Sequence, residues 1–132
     1  SIVGEALAAA ELGASAMHDV TEGGVLGALW ELAQASKVGM EIWKEQIPIL
    51  VETRLICQHL GLDPLGLIAS GSLLIVAPAE QKLGQKLSER GFAATVIGRT
   101  THETEGCVLL SHEKRSPLVP PRRDELYRAL SN

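Results

Sequence analysis

The stretch Ser72-Leu73-Leu74-Ile75-Val76-Ala77 is apolar on both of the faces a β-strand presents, and Pro78 ends it. Side chains alternate sides along a strand, so such a run needs cover above and below, as a central strand in a layered fold has. The neighbouring segments supply the layers. Residues 2–13 (IVGEALAAAELG) are rich in Ala and Leu and end on Gly13, which predicts a helix with a left-handed stop. Val25, Leu26, Leu29, Trp30, Leu32 and Ala33 fall on one broad face at helical period. Between these two helices Ala16-Met17-His18-Asp19-Val20 reads as a short extended segment.

Val38, Met40 and Ile42 alternate with Gly39, Glu41 and Trp43, the pattern of a half-buried strand. A further helix is expected with Pro48 in its first turn, an apolar stripe from Leu50, Val51, Leu55, Ile56 and Leu60, and Gly61 as its stop. Asp63-Pro64-Leu65-Gly66 then reads as a turn. Residues 79–90, closed by Gly91, have the pattern of an exposed amphipathic helix, and residues 92–98 and 106–110 read as strands joined by a solvated hairpin loop over Thr100–Glu105. Pro120-Pro121 followed by Arg122 to Leu130 suggests a terminal helix. Helices and strands thus interleave, which predicts an α+β fold in which four or five strands pair in one mixed sheet layered with helices. No repeat or linker divides the chain, so residues 1–132 are expected to form a single domain.

Hydrophobic residues at 45% and charged residues at 21% are enough to build a core, and a net charge of −4 removes the broad basic surface that nucleic acid or anionic lipid requires. No apolar run reaches the length of a membrane span and no signal peptide opens the chain, so a soluble, cytoplasmic protein is expected. Cys57 and Cys107 lack metal-ligand spacing and read as buried thiols. Ser1 in place of an initiator Met suggests a piece of something longer.

Chemistry concentrates in Met17-His18-Asp19-Val20-Thr21-Glu22-Gly23-Gly24, where acids and glycines sit between a strand and an apolar helix. A helix start attracts anions, and glycines let a phosphate approach the backbone. Two carboxylates beside them suit a metal–nucleotide better than a bare anion, because a carboxylate can hold Mg²⁺ or order its waters. The plainer alternative is structural: Asp19 or Thr21 caps the helix, Glu22 completes the exchange, and the glycines make a tight turn. His18 is open to two readings as well, a general acid or phosphate ligand, or a strand-end residue with one hydrogen bond. Trp30 and Trp43 read as core or subunit contacts rather than a base-stacking platform.

The wording His18-Asp19-Val20-Thr21-Glu22-Gly23-Gly24-Val25-Leu26-Gly27 resembles the glycine-rich motif that opens the carboxy-terminal domain of the aminoimidazole ribonucleotide (AIR) synthetase superfamily, which includes HypE-type hydrogenase maturation proteins. Leu62-Asp63-Pro64-Leu65 with Ser70-Gly71-Ser72-Leu73-Leu74, and Ala94-Thr95-Val96-Ile97-Gly98, continue the resemblance in order along the whole chain. The resemblance implies an AIR synthase C-terminal domain-like fold, partly ferredoxin-like in topology, and a fragment of a two-domain, ATP-dependent enzyme. An amino-terminal ATP-binding domain would supply much of the ATP and Mg²⁺ site and the homodimer contact. The present domain would close over the phosphates and an unknown small-molecule or protein acceptor, and alone would be inactive. On that mapping Asp19, Glu22 and His18 are the candidate catalytic residues, with Asp19 also toward the metal. Thr21, Gly23, Gly24, Ser70 and Gly71 would line the phosphate side. The chain departs from HypE-type members in carrying Glu22 where they have Arg, and in ending Leu130-Ser131-Asn132 rather than in cysteine. A non-catalytic dimerisation or partner-binding module is the alternative from another functional class.

Overall fold

The computed structural model describes residues 2–67 and 71–120. Among these residues four helices and six strands follow one another as α1 (Val3–Glu11), β1 (Ala16–Asp19), α2 (Gly24–Ser36), β2 (Gly39–Trp43), α3 (Val51–Leu60), β3 (Leu73–Val76), α4 (Leu83–Glu89), β4 (Gly98–Thr101), β5 (Cys107–Ser111) and β6 (Lys114–Pro117). The fold is α+β, with helices layered on mixed sheets. Its strands do not form the one sheet expected from sequence: β1 and β3 make an antiparallel pair, and β4-β2-β5-β6 make a separate sheet in which β2 and β5 run parallel.

The apolar run of β3 is covered on both sides, as its composition demands. Leu74 and Val76 pack with α2 and the four-stranded sheet in a cluster built on Leu29, Leu32, Ala33, Met40, Ile42, Ile47, Leu65 and Leu118. Ile75 and Ala77 face a second cluster formed by Ala8 and Ala9 of α1 and Leu83 and Leu87 of α4. The layers therefore run α1 and α4, then β1–β3, then α2, then the larger sheet. Lateral pairing is another matter, since among the described residues β3 has one partner strand and is central only in the stacking direction.

Other boundaries shift for identifiable reasons. Residues 92–97 are not a strand; Phe92 and Ala94 pack into the α1/α4 cluster and Ile97 into the other, where the Ile97 carbonyl accepts from the Trp43 N–H at 2.8 Å, so the alternation before Ile97 reports burial rather than strand pairing. The expected helix over 79–90 is broken at Lys82, which sits in the left-handed region at φ 50°, and α4 begins after it. Helix α3 starts at Val51 rather than near Pro48, and Gly61 closes it at φ 67° as expected. The loop after β4 does not close a hairpin: β4 and β5 lie on opposite edges of β2, so residues 102–106 cross the end of that strand. A hairpin missing from the sequence reading joins β5 to β6 through His112 and Glu113, both with positive φ. The expected helix over Arg122–Leu130 lies outside the described residues.

On the outer face of the larger sheet Glu41 gathers three strands. Arg99 of β4 approaches its carboxylate at 3.4 Å, Arg115 of β6 at 3.5 Å, and the Trp43 indole N–H donates to it at 3.4 Å. The Arg99 contact is the main reason the Glu41 carboxyl is held below its ordinary value of 4.5. A depressed carboxyl stabilises the fold above its unfolded value, and that contribution disappears as pH falls through the folded one. The thermal midpoint of the natural chain is therefore expected to drop below pH 4.5 more steeply than that of Glu41→Gln, with the two converging in acid. Parallel curves from pH 7 to pH 3 would contradict this role.

Candidate functional site

The segment singled out for chemistry lies where strand β1 ends and α2 begins. Asp19 stands opposite Leu73 in the β1–β3 ladder, and the Val20 N–H donates to the Ser72 carbonyl at 3.1 Å, which brings Gly71 and Ser72 beside Asp19 and Val20. Val20, 2% exposed, anchors the turn in the interior, while Asp19, Thr21 and Glu22 face solvent. The Gly24 N–H donates to the Thr21 carbonyl at 3.1 Å and closes the turn. Gly23 takes the N-cap position at φ 88°, and no side chain caps α2. Neither Asp19 nor Thr21 therefore performs the capping that the plainer reading of the motif assigned to it.

The two glycines do different work. At Gly24, φ 63°, an added Cβ would stand 2.5 Å from the carbonyl oxygens of Leu65 and Leu67, so the first residue of α2 lies directly on the backbone of the short 3-10 turn Pro64–Gly66. That turn is fixed by Leu65, 2% exposed, and by Asp63, whose carboxylate accepts from the Leu65 N–H at 3.0 Å. Among the described residues, the nearest atom to an added Cβ at Gly23 is the Gly27 Cα at 3.6 Å, and at Gly71, φ 86°, nothing lies within 4 Å. Open backbone at Gly23 and Gly71 thus flanks the exposed Asp19–Glu22 turn. Ser70 lies outside the described residues.

His18 is held rather than loose. Its Nδ1 is 2.6 Å from the Asp19 carbonyl and its Nε2 is 3.0 Å from the Glu31 carboxylate on α2. Both neighbours are acceptors, so each faces a ring nitrogen that can donate to it in one tautomer. Glu31 is thirteen positions away in sequence, and no local pattern marks the pairing.

The turn from His18 to Gly24 carries two acids and neither Lys nor Arg. Alone, it repels a phosphate; with a divalent cation between, the same carboxylates become ligands or order the metal's waters. Among the described residues no group of three or more His, Cys, Asp or Glu is placed to hold a metal ion. This donor set fits Mg²⁺, which is commonly held by one or two protein carboxylates plus substrate phosphates and water. It does not fit a closed all-protein metal cage. Two surface depressions lie at the far end of α2, around Lys37, Val38 and His102–Thr104 and around Trp30, Gln34, Cys107 and Leu118. At 1.5 Å per residue the length of α2 puts the first about 20 Å from the glycine turn, and the second extends back along the helix to Trp30, about 10 Å from it. Among the described residues no helix is long and apolar enough to cross a membrane.

Comparison with known proteins gives a consistent picture. Residues 1–110 match the family model described as AIR synthase related protein, C-terminal domain. The carbamoyl dehydratase HypE of Rhodobacter capsulatus is 36% identical over 104 residues, 76% of this chain and 31% of that protein. The crystal structure of Escherichia coli HypE, a hydrogenase maturation protein, superposes with a TM-score of 0.82 at 27% identity, covering 97% of this chain and 42% of that one. A structure of HypE in complex with ATP gives 0.76 at 26% identity over 86% of this chain and 38% of that one. The chain thus spans about a third of the length of the curated relative it matches.

Proposed function

The chain belongs to the family of AIR synthase related protein C-terminal domains, and from that premise we propose that it is the closing half of an ATP-using, HypE-like enzyme, facing Mg²⁺-bound phosphates and an acceptor. The observation that carries this reading is the convergence of Asp19, Gly23 and Gly71 around one acidic turn at the open end of the β1–β3 ladder. The similarity to HypE in complex with ATP supports the choice of nucleotide.

Asp19 is the carboxylate that would hold the metal or its waters. Thr21 and Gly23 line the phosphate side, and Gly71, just ahead of β3, faces them. Gly24 serves the same surface from beneath, by letting α2 sit on the Pro64–Gly66 turn. Glu22, exposed at the tip, points the acceptor side toward an acidic group. His18, held by Glu31, is the candidate general acid and fixes the end of β1 against α2. Bound Mg-ATP would supply a transferable phosphoryl group; these residues would orient it, offset its charge and exclude water, the main contributions a protein makes to such transfers. The remaining metal and nucleotide contacts belong to an amino-terminal domain, which is also where the main homodimer contact is assigned.

The test is a calorimetric titration of ATP into the two-domain parent, in Mg²⁺ and in EDTA, with and without Asp19→Asn. Loss of a metal-directed carboxylate is expected to weaken binding at least about tenfold in Mg²⁺, roughly 1.4 kcal/mol, and to leave binding in EDTA unchanged. Equal affinity of both proteins in Mg²⁺ would remove Asp19 from the site and favour the second reading, a partner-binding module. The exposed apolar face of α3 is the observation behind that second reading.

A further inference from the structure

Helix α3 buries little of its apolar surface. Cys57, 2% exposed, faces the domain, yet Leu50 at the N-cap and Val51, Leu55, Ile56 and Leu60 along the helix are 55–72% exposed. At 3.6 residues per turn the four helical residues, with Glu52 and His59 among them, occupy about half of the helix circumference. An apolar surface of this size, on the order of 500 Å² per copy, matches the largest patch a typical monomer exposes, and such patches are often functional.

The order of residues on this face is palindromic about the midpoint between Leu55 and Ile56. Val51 balances Leu60, Glu52 balances His59, and Leu55 balances Ile56. Leu50 balances Gly61, where an added Cβ meets nothing among the described residues within 4 Å. An isologous two-fold contact requires this arrangement, since residue i must suit residue j and j must suit i. Laid antiparallel on a second copy of itself, α3 places apolar side chains on apolar side chains, the Glu52 carboxylate opposite an imidazole donor of the mate's His59, and Leu50 over the open Gly61. A parallel pairing would set Glu52 against Glu52.

We propose that this face of α3 is a homodimer contact, with two copies of the chain packed antiparallel about a two-fold axis between Leu55 and Ile56. The contact is separate from any dimer made through an amino-terminal domain, so it operates in this chain alone. With about 1,000 Å² buried in total it lies at the lower margin for a specific interface and gives a reversible dimer in the micromolar range.

Sedimentation equilibrium of the 132-residue chain, across roughly 1 to 500 μM, tests it. The natural chain should pass reversibly from monomer to dimer. Leu55→Glu should weaken the dimer at least tenfold, and Val96→Glu, at a residue 63% exposed elsewhere, should leave it unchanged. Glu52→Lys and His59→Glu should each weaken self-association, and an equimolar mixture of the two should recover it, because the mixed pair sets the introduced lysine against the introduced glutamate at one polar contact and keeps the natural Glu52–His59 contact at the other. That recovery depends on pairing geometry and not on the helix merely being sticky. A natural chain that stays monomeric throughout would assign the face to another part of a longer protein and overturn the proposal. So would a dimer indifferent to Leu55→Glu, or a mixture no better associated than its separate components.

Discussion

Replacing Gly24 by alanine is expected to destabilise this protein by about 4 kcal/mol, combining a left-handed backbone position with overpacking. At φ 63° a non-glycine residue is strained, and the new methyl would stand 2.5 Å from two carbonyl oxygens and 2.8 Å from the Gly66 carbonyl carbon. These neighbours are backbone, so relief requires α2 to lift away from the Pro64–Gly66 turn. For a chain of this size the thermal midpoint should fall by about 15 °C. Gly71→Ala is the control: its φ of 86° is equally unsuited to alanine, but no described residue lies within 4 Å of the added Cβ. It should cost only about 1 kcal/mol, the backbone contribution alone. Denaturant unfolding of the two variants separates close packing from backbone conformation. Equal losses at both positions would mean that the contact at Gly24 relaxes freely.

Leu65→Ala should cost about 3 kcal/mol, the middle of the range for a leucine removed from a close-packed interior. Leu65 is 2% exposed and shares its cluster with Leu29, Leu32, Met40 and Ile42. Its loss opens a cavity where the 3-10 turn meets α2, and the turn that supports Gly24 becomes free to move. The two substitutions should therefore not add. In a Gly24→Ala, Leu65→Ala double variant the cavity gives the displaced backbone somewhere to go, and the total should fall short of the sum by about 1 kcal/mol or more, as contacting sites usually do. Additive losses in denaturant unfolding would show that Leu65 and Gly24 support α2 independently.

These two predictions show how unevenly the candidate site was legible. Asp19, Glu22 and the glycines stand out in sequence because they crowd together between a strand and an apolar helix start, in wording that resembles a family motif. That Gly23 and Gly71 look outward while Gly24 presses on Leu65 and Leu67 is invisible there, since the three differ only in what the folded chain places beside them. The bond from His18 to Glu31 escaped for the same reason. The edge strand β6 gave no sign because Lys114-Arg115-Ser116-Pro117 is polar and exposed, and its turn uses His112 and Glu113 in left-handed positions where Gly or Asn is the usual marker.

Local patterns by themselves determined the helix over Gly24–Ser36, the left-handed stops at Gly13 and Gly61, the extended segments around His18 and Met40, and the need to cover both faces of Leu73–Val76. Each rests on neighbours a few residues apart, whose periodicity and backbone preferences are properties of the chain itself. Only the tertiary structure decided that the strands divide into two sheets, that β4 and β5 flank β2 instead of pairing with each other, and that residues 92–96 pack without strand pairing. It also decided that the stripe on α3, which reads in sequence like any core-facing helix, stays outside. An apolar pattern states that a surface must be covered, whereas the choice of cover depends on which distant segments win the competition for it, a balance of long-range packing against chain entropy that no local window contains.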